Sequence, residues 1–182
     1  MTILARDVMT TDVTTITGGT SVEELIHVFR LSHFTGIPVV DSEGRAVGLV
    51  SETDILRALA YTLHPPGGSG IHKIPDPDEK PTRLDEERHK KATTRLLLAA
   101  NRAKVPVQAA AVMRELLTRT VHDLMTPIVH SCLPDAPLAE VCEMMNWKEI
   151  HRVVVVDADS KVVGLISSLD LARKFGEVLK GD

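Results

Sequence analysis

Three short clusters in the sequence carry side chains that could act on a ligand. The run Gly48-Leu49-Val50-Ser51-Glu52-Thr53-Asp54 gathers a glycine, two hydroxyls and two carboxylates. A glycine inside a strand permits close approach by another group, and a helix start just beyond it offers unpaired N–H groups. A carboxylate such as Asp54 can accept two hydrogen bonds from neighbouring sugar hydroxyls, while Ser51, Thr53 and free N–H groups suit phosphate oxygens. The same Ser-x-x-Asp spacing is also a capping box, which closes a helix end with no ligand, and spacing alone leaves both readings open. A second run, Ser167-Ser168-Leu169-Asp170, has the same form with Leu169 in place of one hydroxyl. The pair His151-Arg152 sets a guanidinium fork beside a second donor, a combination suited to phosphate or, equally, to a solvated loop.

Other chemistry finds little support. The eight histidines form no HxxxH or His-Cys set with metal-ligand spacing, and His64, His72 and His89 lie in or beside a proline- and glycine-rich stretch, as solvated side chains would. Cys132 and Cys142 form no CxxC pair and are expected to be free, interior thiols. There is no GxSxG elbow, no Walker-type loop and no context for a cysteine nucleophile. Trp147, the one tryptophan, sits late in a helical pattern and suits packing or a dimer surface better than base stacking.

The elements that must position these residues come in two copies. A shift of 116 positions sets Asp7-Val8-Met9-Thr10 on Asp123-Leu124-Met125-Thr126, Val39-Val40-Asp41 on Val155-Val156-Asp157, and Val47-Gly48-Leu49 on Val163-Gly164-Leu165. Over Asp7 to Leu59 against Asp123 to Phe175 there are 14 identities without a gap, where chance would give about three or four. Val22, Leu25, Ile26 and Phe29, and then Leu138, Val141, Cys142 and Met145, follow i, i+3, i+4, i+7 and predict an amphipathic helix in each copy. Thr20 and Ser21 offer caps to the first helix; Asp135 is a candidate cap for the second, with Pro137 near its first position. Each helix is followed by a strand (Ile37 to Val40, Val153 to Val156), a turn rich in Asp, a second strand (Ala46 to Val50, Val162 to Ile166) and a closing helix. Each copy is therefore a β-α-β-β-α unit, marginal as a free-standing domain, so two units packed face to face are expected.

Between the copies the composition changes. His64 to Pro81 holds five of the ten prolines and three glycines, which predicts an irregular loop. Arg83 to about Ala103, and Pro106 to about Arg119, read as two additional helices whose apolar faces must cover either the repeats or a second subunit. The 182 residues carry 21 Lys plus Arg against 25 Asp plus Glu, a net charge of −4, with no basic block able to track a phosphate backbone, so nucleic acid is not an expected partner. Nothing approaches the ~20 consecutive apolar residues of a membrane span, and Met1 to Asp12 does not resemble a secretion signal, so a cytoplasmic protein without a membrane partner is expected.

Taken together, the Asp-Val-Met-Thr start, the Pro-Val-Val-Asp run and the Gly-Leu-Val-Ser-Glu-Thr-Asp end resemble the CBS domain, the cystathionine β-synthase-type regulatory module found in tandem pairs called Bateman modules. Ile150 to Asp157 is similar to a nucleotide-contacting repeat of the AMP-activated kinase γ subunit. The resemblance implies an α+β fold of two pseudo-symmetric repeats packed through their sheets, with repeat 1 at 1–60, the insertion at 61–120 and repeat 2 at 121–182. It implies two clefts that bind AMP, ADP, ATP or S-adenosylmethionine, with no obligatory cofactor and no catalysis. Carried over residue by residue, one cleft would combine Ser51, Thr53 and Asp54 with Ile128, Val129, His151 and Arg152. The other would combine Ser167 and Asp170 with Thr10, Thr11, Val13, Thr35, Gly36 and Ile37. It departs from the family pattern at Leu169 and at Thr35-Gly36, where charge partners for phosphate are missing, so unequal clefts are expected. A homodimer that passes its ligand state to an effector protein in trans is the implied assembly. The rivals are a structural interaction module with unoccupied clefts and, less favoured, a small enzyme using Asp54 or His151 as general base.

Overall fold

A computed structural model describes residues 2–32, 34–63, 107–127 and 129–181; at 61–63 and 107–110 it describes the main chain only. The proline- and glycine-rich loop and the helix read at Arg83 to Ala103 lie outside the described residues, as does Ile128.

The first copy runs β1 (Ile16–Thr17), α1 (Val22–Leu31), β2 (Gly36–Val40), β3 (Ala46–Ser51) and α2 (Glu52–Leu63). Next comes α3 (Val107–Leu117), followed by the second copy: β4 (Ser131–Cys132), α4 (Leu138–Lys148), β5 (Arg152–Val156), β6 (Val162–Ser167) and α5 (Ser168–Lys180). Each copy forms a three-stranded sheet in which a short strand lies parallel to the central one and a hairpin partner lies antiparallel, in the orders β1-β2-β3 and β4-β5-β6. The hairpin turns share one device. Asp41 Oδ1 accepts from the N–H groups of Glu43 and Arg45, both at 2.9 Å, and Asp157 Oδ1 does the same for Asp159 and Lys161. The left-handed position that completes the turn falls to Gly44 (φ 83°) in one copy and Ser160 (φ 65°) in the other.

Helix α1 begins as its sequence predicts, with Ser21 Oγ accepting from the N–H of Glu24 at 3.1 Å, and it buries Val22, Leu25 and Phe29. The cap read for α4 does not form. Pro137 leads directly into the helix, and the Asp135 carboxylate is instead ion-paired with Arg6 at 2.5 Å. Cys142 also departs from expectation: α4 buries Val141 and Met145, one step round the helix, and leaves Cys142 exposed.

The two copies are interlocked by exchanged N-terminal segments. Thr126, at the end of the second copy's Asp-Leu-Met-Thr, pairs with Leu49 on β3 of the first copy by reciprocal main-chain bonds of 2.9 and 3.0 Å. Thr10 pairs with Leu165 on β6 in the same way, both bonds being 3.0 Å. Asp7 and Asp123 each fold their own segment into a 3-10 turn, accepting from the N–H of Leu4 at 2.8 Å and of Thr120 at 2.9 Å. Each hydrophobic core is consequently mixed. Leu25, Phe29, Ile37, Val39 and Val50 enclose Val121 with Leu124 and Met125, while Val141, Met145, Val153, Val155 and Ile166 enclose Ala5 with Met9. A fully buried side chain of this size is worth roughly 1.5–3 kcal/mol, so each exchanged segment contributes to the other copy's stability.

Candidate functional site

Strand β3 ends at Ser51 and α2 begins at Glu52, so the carboxylate three residues on folds back over the helix start. Asp54 Oδ2 accepts from the Ser51 N–H at 2.8 Å and from the Ser51 hydroxyl at 2.6 Å, and its Oδ1 is ion-paired with Arg57 at 2.6 Å. Asp54 is the one buried charged or polar residue among those described. The second copy repeats the arrangement: Asp170 Oδ2 accepts from the Ser167 N–H at 2.9 Å and its hydroxyl at 2.5 Å, and Arg173 reaches Oδ1 at 3.0 Å. The full capping box forms in the second copy, where the Asp170 N–H donates to Ser167 Oγ at 3.3 Å; in the first copy the aspartate's half of it, the bonds from Ser51 to Asp54 Oδ2, is present. Arg57 and Arg173 were not singled out by sequence reasoning, although they are one of the identities under the 116-residue shift.

The glycine of the same run serves the interlock. A Cβ on Gly48 would lie 2.6 Å from Met125 Sδ and 3.1 Å from the Thr126 carbonyl oxygen, and one on Gly164 would lie 2.5 Å from Met9 Sδ. The close approach that these glycines permit is made by the other copy's exchanged segment.

Arg152 opens strand β5 in the second copy, yet its guanidinium lies against the first. Arg152 Nη2 donates to Thr35 Oγ1, and the group rests on Gly36, where a Cβ would come within 3.0 Å of its Cζ and Nε. Desolvation lowers the Arg152 pKa, while the charges of Glu52 and Asp54 act in the opposite direction. Gly36 pairs with Ser51 across the β2–β3 hairpin, and the Glu52 N–H reaches the Thr35 carbonyl oxygen at 3.4 Å, which ties these residues to one corner. The structure thus brings together Ser51, Asp54, Thr35, Gly36, Glu52 and Arg152. Thr35 and Gly36, assigned by resemblance to the second cleft, here meet the arginine assigned to the first. Glu52 is a charged member of the corner that sequence reasoning passed over; Ser168 stands at its place in the other copy.

The remaining candidates are distributed around this corner and its counterpart. Thr53 is exposed, Val129 half-buried and His151 exposed, with the His151 carbonyl oxygen accepting from the Ser168 N–H at 3.0 Å. Ile37 is a core side chain, 1% exposed and packed in one cluster with Val39 and Val50, so its side chain is not available to a ligand. Thr10 has its main chain committed to Leu165; Thr11 is exposed and Val13 half-buried. Leu169 is 78% exposed beside Asp170, leaving an apolar lip where Thr53 stands in the first copy. Burial pushes the Cys132 thiol pKa up, which makes it a poor nucleophile.

Two pseudo-symmetric α+β repeats that exchange their leading segments, each with a Ser-x-x-Asp corner, define a tandem-repeat module. The CBS domain family model matches residues 5–61 and 121–177, and the chain belongs to that family. It is 25% identical over 171 residues to homoserine O-acetyltransferase from Methanohalobium evestigatum, covering 94% of this chain but 24% of that relative's length. An uncharacterized protein of Methanocaldococcus jannaschii, MJ1426, is 26% identical over 81% of this chain and 77% of its own. Among solved structures, the CBS domain pair of protein MJ0100, in complex with 5'-methylthioadenosine and S-adenosylmethionine, superposes with a TM-score of 0.63 at 21% identity, over 97% of this chain and 98% of that one. CBSX2 in complex with AMP gives a TM-score of 0.62 at 20% identity, over 96% and 94%. These likenesses establish the shared fold.

Proposed function

We propose that the chain is a regulatory module that binds an adenosyl ligand of the AMP, ADP or ATP type in the corner of Ser51, Thr53, Asp54, Val129, His151 and Arg152, and catalyses nothing itself. The observation that carries this is a desolvated Arg152 from one copy set among Glu52, Asp54 and Thr35 of the other. A cation drawn out of water in a shared crevice, with a buried carboxylate beside it, suits a ligand bearing sugar hydroxyls and an anionic tail. The ligand-bound structures of MJ0100 and CBSX2 support an adenosyl group as the recognised part. Binding would favour one arrangement of the copies, and an effector preferring that arrangement would be held or released in trans.

The second cleft, around Asp170 and Leu169, carries the uncharged Thr35-Gly36 at the place of His151-Arg152, and the guanidinium that rests on them, Arg152, also faces Glu52 and Asp54 of the first corner. The second cleft suits an uncharged or cationic adenosyl ligand such as S-adenosylmethionine better than a nucleotide. A competing reading, an interaction module with unoccupied clefts, is favoured by one observation: both Asp54 oxygens are already engaged, by Ser51 and Arg57. A thermal-shift and calorimetric panel of AMP, ADP, ATP, adenosine, 5'-methylthioadenosine and S-adenosylmethionine separates the two. Ligand at 100 times Kd adds ~2.7 kcal/mol to a binder and nothing to the competing module. Arg152→Ala should weaken AMP roughly tenfold and adenosine little.

A further inference from the structure

Thr35-Gly36 and His151-Arg152 occupy equivalent places in the two copies, so the structure sets equivalent positions against each other where the copies meet. Only one arginine fits there. Gly36 has no side chain, and a Cβ would already stand 3.0 Å from the Arg152 Cζ and Nε and 3.1 Å from Nη1. Thr35 then supplies the hydroxyl that takes the guanidinium's Nη2. We propose that Thr35 is a latch: its hydroxyl takes the Arg152 guanidinium over Gly36 and so competes for it with an anionic ligand in the Asp54 corner. Thr35 thereby sets how strongly the module prefers a phosphorylated adenosyl ligand over the bare nucleoside. This rests on the adenosyl reading above and adds a specificity-determining residue that opposes binding, where resemblance places Thr35 among the ligand contacts of the other cleft.

The position of Arg152 supports the latch. Its charge is partly withdrawn from water, and of the groups acting on it Glu52 and Asp54 come from the first copy, as Thr35 does. A guanidinium has five N–H donors, so it can keep part of this environment while two donors turn to a phosphate. The bond to Thr35 is then the contact that competes with the ligand. An uncharged nucleoside makes no demand on the guanidinium and leaves the latch closed.

The test is a double-mutant cycle on the full chain, read by calorimetry with AMP and with adenosine. Thr35→Val removes the acceptor while keeping the side chain's shape. Carried in an Asp170→Ala background, which disables the second cleft, it should tighten AMP by about threefold to tenfold and leave adenosine unchanged. In an Arg152→Ala background the same substitution should have no effect on AMP. Weaker or unaltered AMP binding by Thr35→Val, or a gain that persists without Arg152, overturns the latch. A wild-type protein that binds neither AMP nor adenosine overturns the adenosyl reading instead, and the latch is then judged without ligand. Water exchange of the Arg152 Nη–H protons, followed by NMR, should quicken in Thr35→Val, and an unchanged rate overturns it.

Discussion

At the scale of single residues, Asp54 and Asp170 make matching bonds to serine and arginine, so removing either should cost similar stability. A lost cap of this kind is worth about 1 kcal/mol, within a range of roughly 0.5–2. The exposed halves of the Arg57 and Arg173 ion pairs add little to that. Of the two, among the described residues, Asp54 alone has a cation from the other copy acting across from it. Asp54→Ala should therefore lower AMP affinity at least tenfold, while Asp170→Ala lowers stability alike and leaves AMP affinity unchanged. Denaturant unfolding and calorimetry on the two variants check this; equal losses of affinity would remove Asp54 from its special role. Ser51 and Asp54 could be read from sequence because a capping box is a local pattern of four residues. The destination of Arg152 could not, since its partner Thr35 lies 117 residues away and no local rule links them.

At the scale of elements, the two helices of each copy, the hairpins and the aspartate turns follow from periodicity and turn chemistry, and the sequence reading finds them. What it misses is the exchange. A short Asp-Val-Met-Thr segment carries no local sign of which sheet it will join. The sign lies in a pair of identities kept together: Met9 with Met125, and Gly48 with Gly164, each methionine seated on the other copy's glycine. Gly48→Ala should destabilise by about 1–3 kcal/mol, because the methionine and the Thr126 carbonyl must both shift. Trimming Met125 to alanine in the same chain should recover part of that loss, giving a coupling measurable by denaturant unfolding. The hairpin turn adds a pH dependence. Hydrogen bonding from the Arg45 N–H, with further help from the Arg45 side chain and the Glu43 N–H, holds the Asp41 carboxyl below its ordinary value. A carboxylate whose folded pKa is depressed contributes stability that is complete above its unfolded value, about pH 4, and is lost as pH falls through the folded value. The Tm of the wild type should fall more steeply below about pH 4 than that of Asp41→Asn; parallel curves would show that the turn does not depend on the charge.

At the scale of the whole molecule, the pseudo-symmetry is broken by α3, which packs against α1 and α2 of the first copy and buries Leu116. The equivalent helices of the second copy have no such cover among the described residues. Helix α5 has no buried residue, and Leu169, Phe175, Val178 and Leu179 on it are exposed, as is Trp147 on α4 at 78%. Phe175, Val178 and Leu179 follow i, i+3, i+4 and so form one exposed apolar strip along α5. The insertion helix therefore answers, for its described part, what it covers: its own chain. A second copy of the chain, as the tandem-repeat resemblance implies, is the partner we propose for the face it leaves bare. Two copies could bury α5 against α5, since an isologous contact needs only one self-complementary patch. Phe175→Asp places a charge in the middle of that patch, so light scattering with size-exclusion chromatography should show a dimer for the wild type and a monomer for the variant. Because Phe175 is outside both cores, the variant should keep its fold and its AMP affinity, which separates loss of the dimer from loss of structure. A variant that remains dimeric would place the contact elsewhere, and a monomeric wild type would refute the dimer.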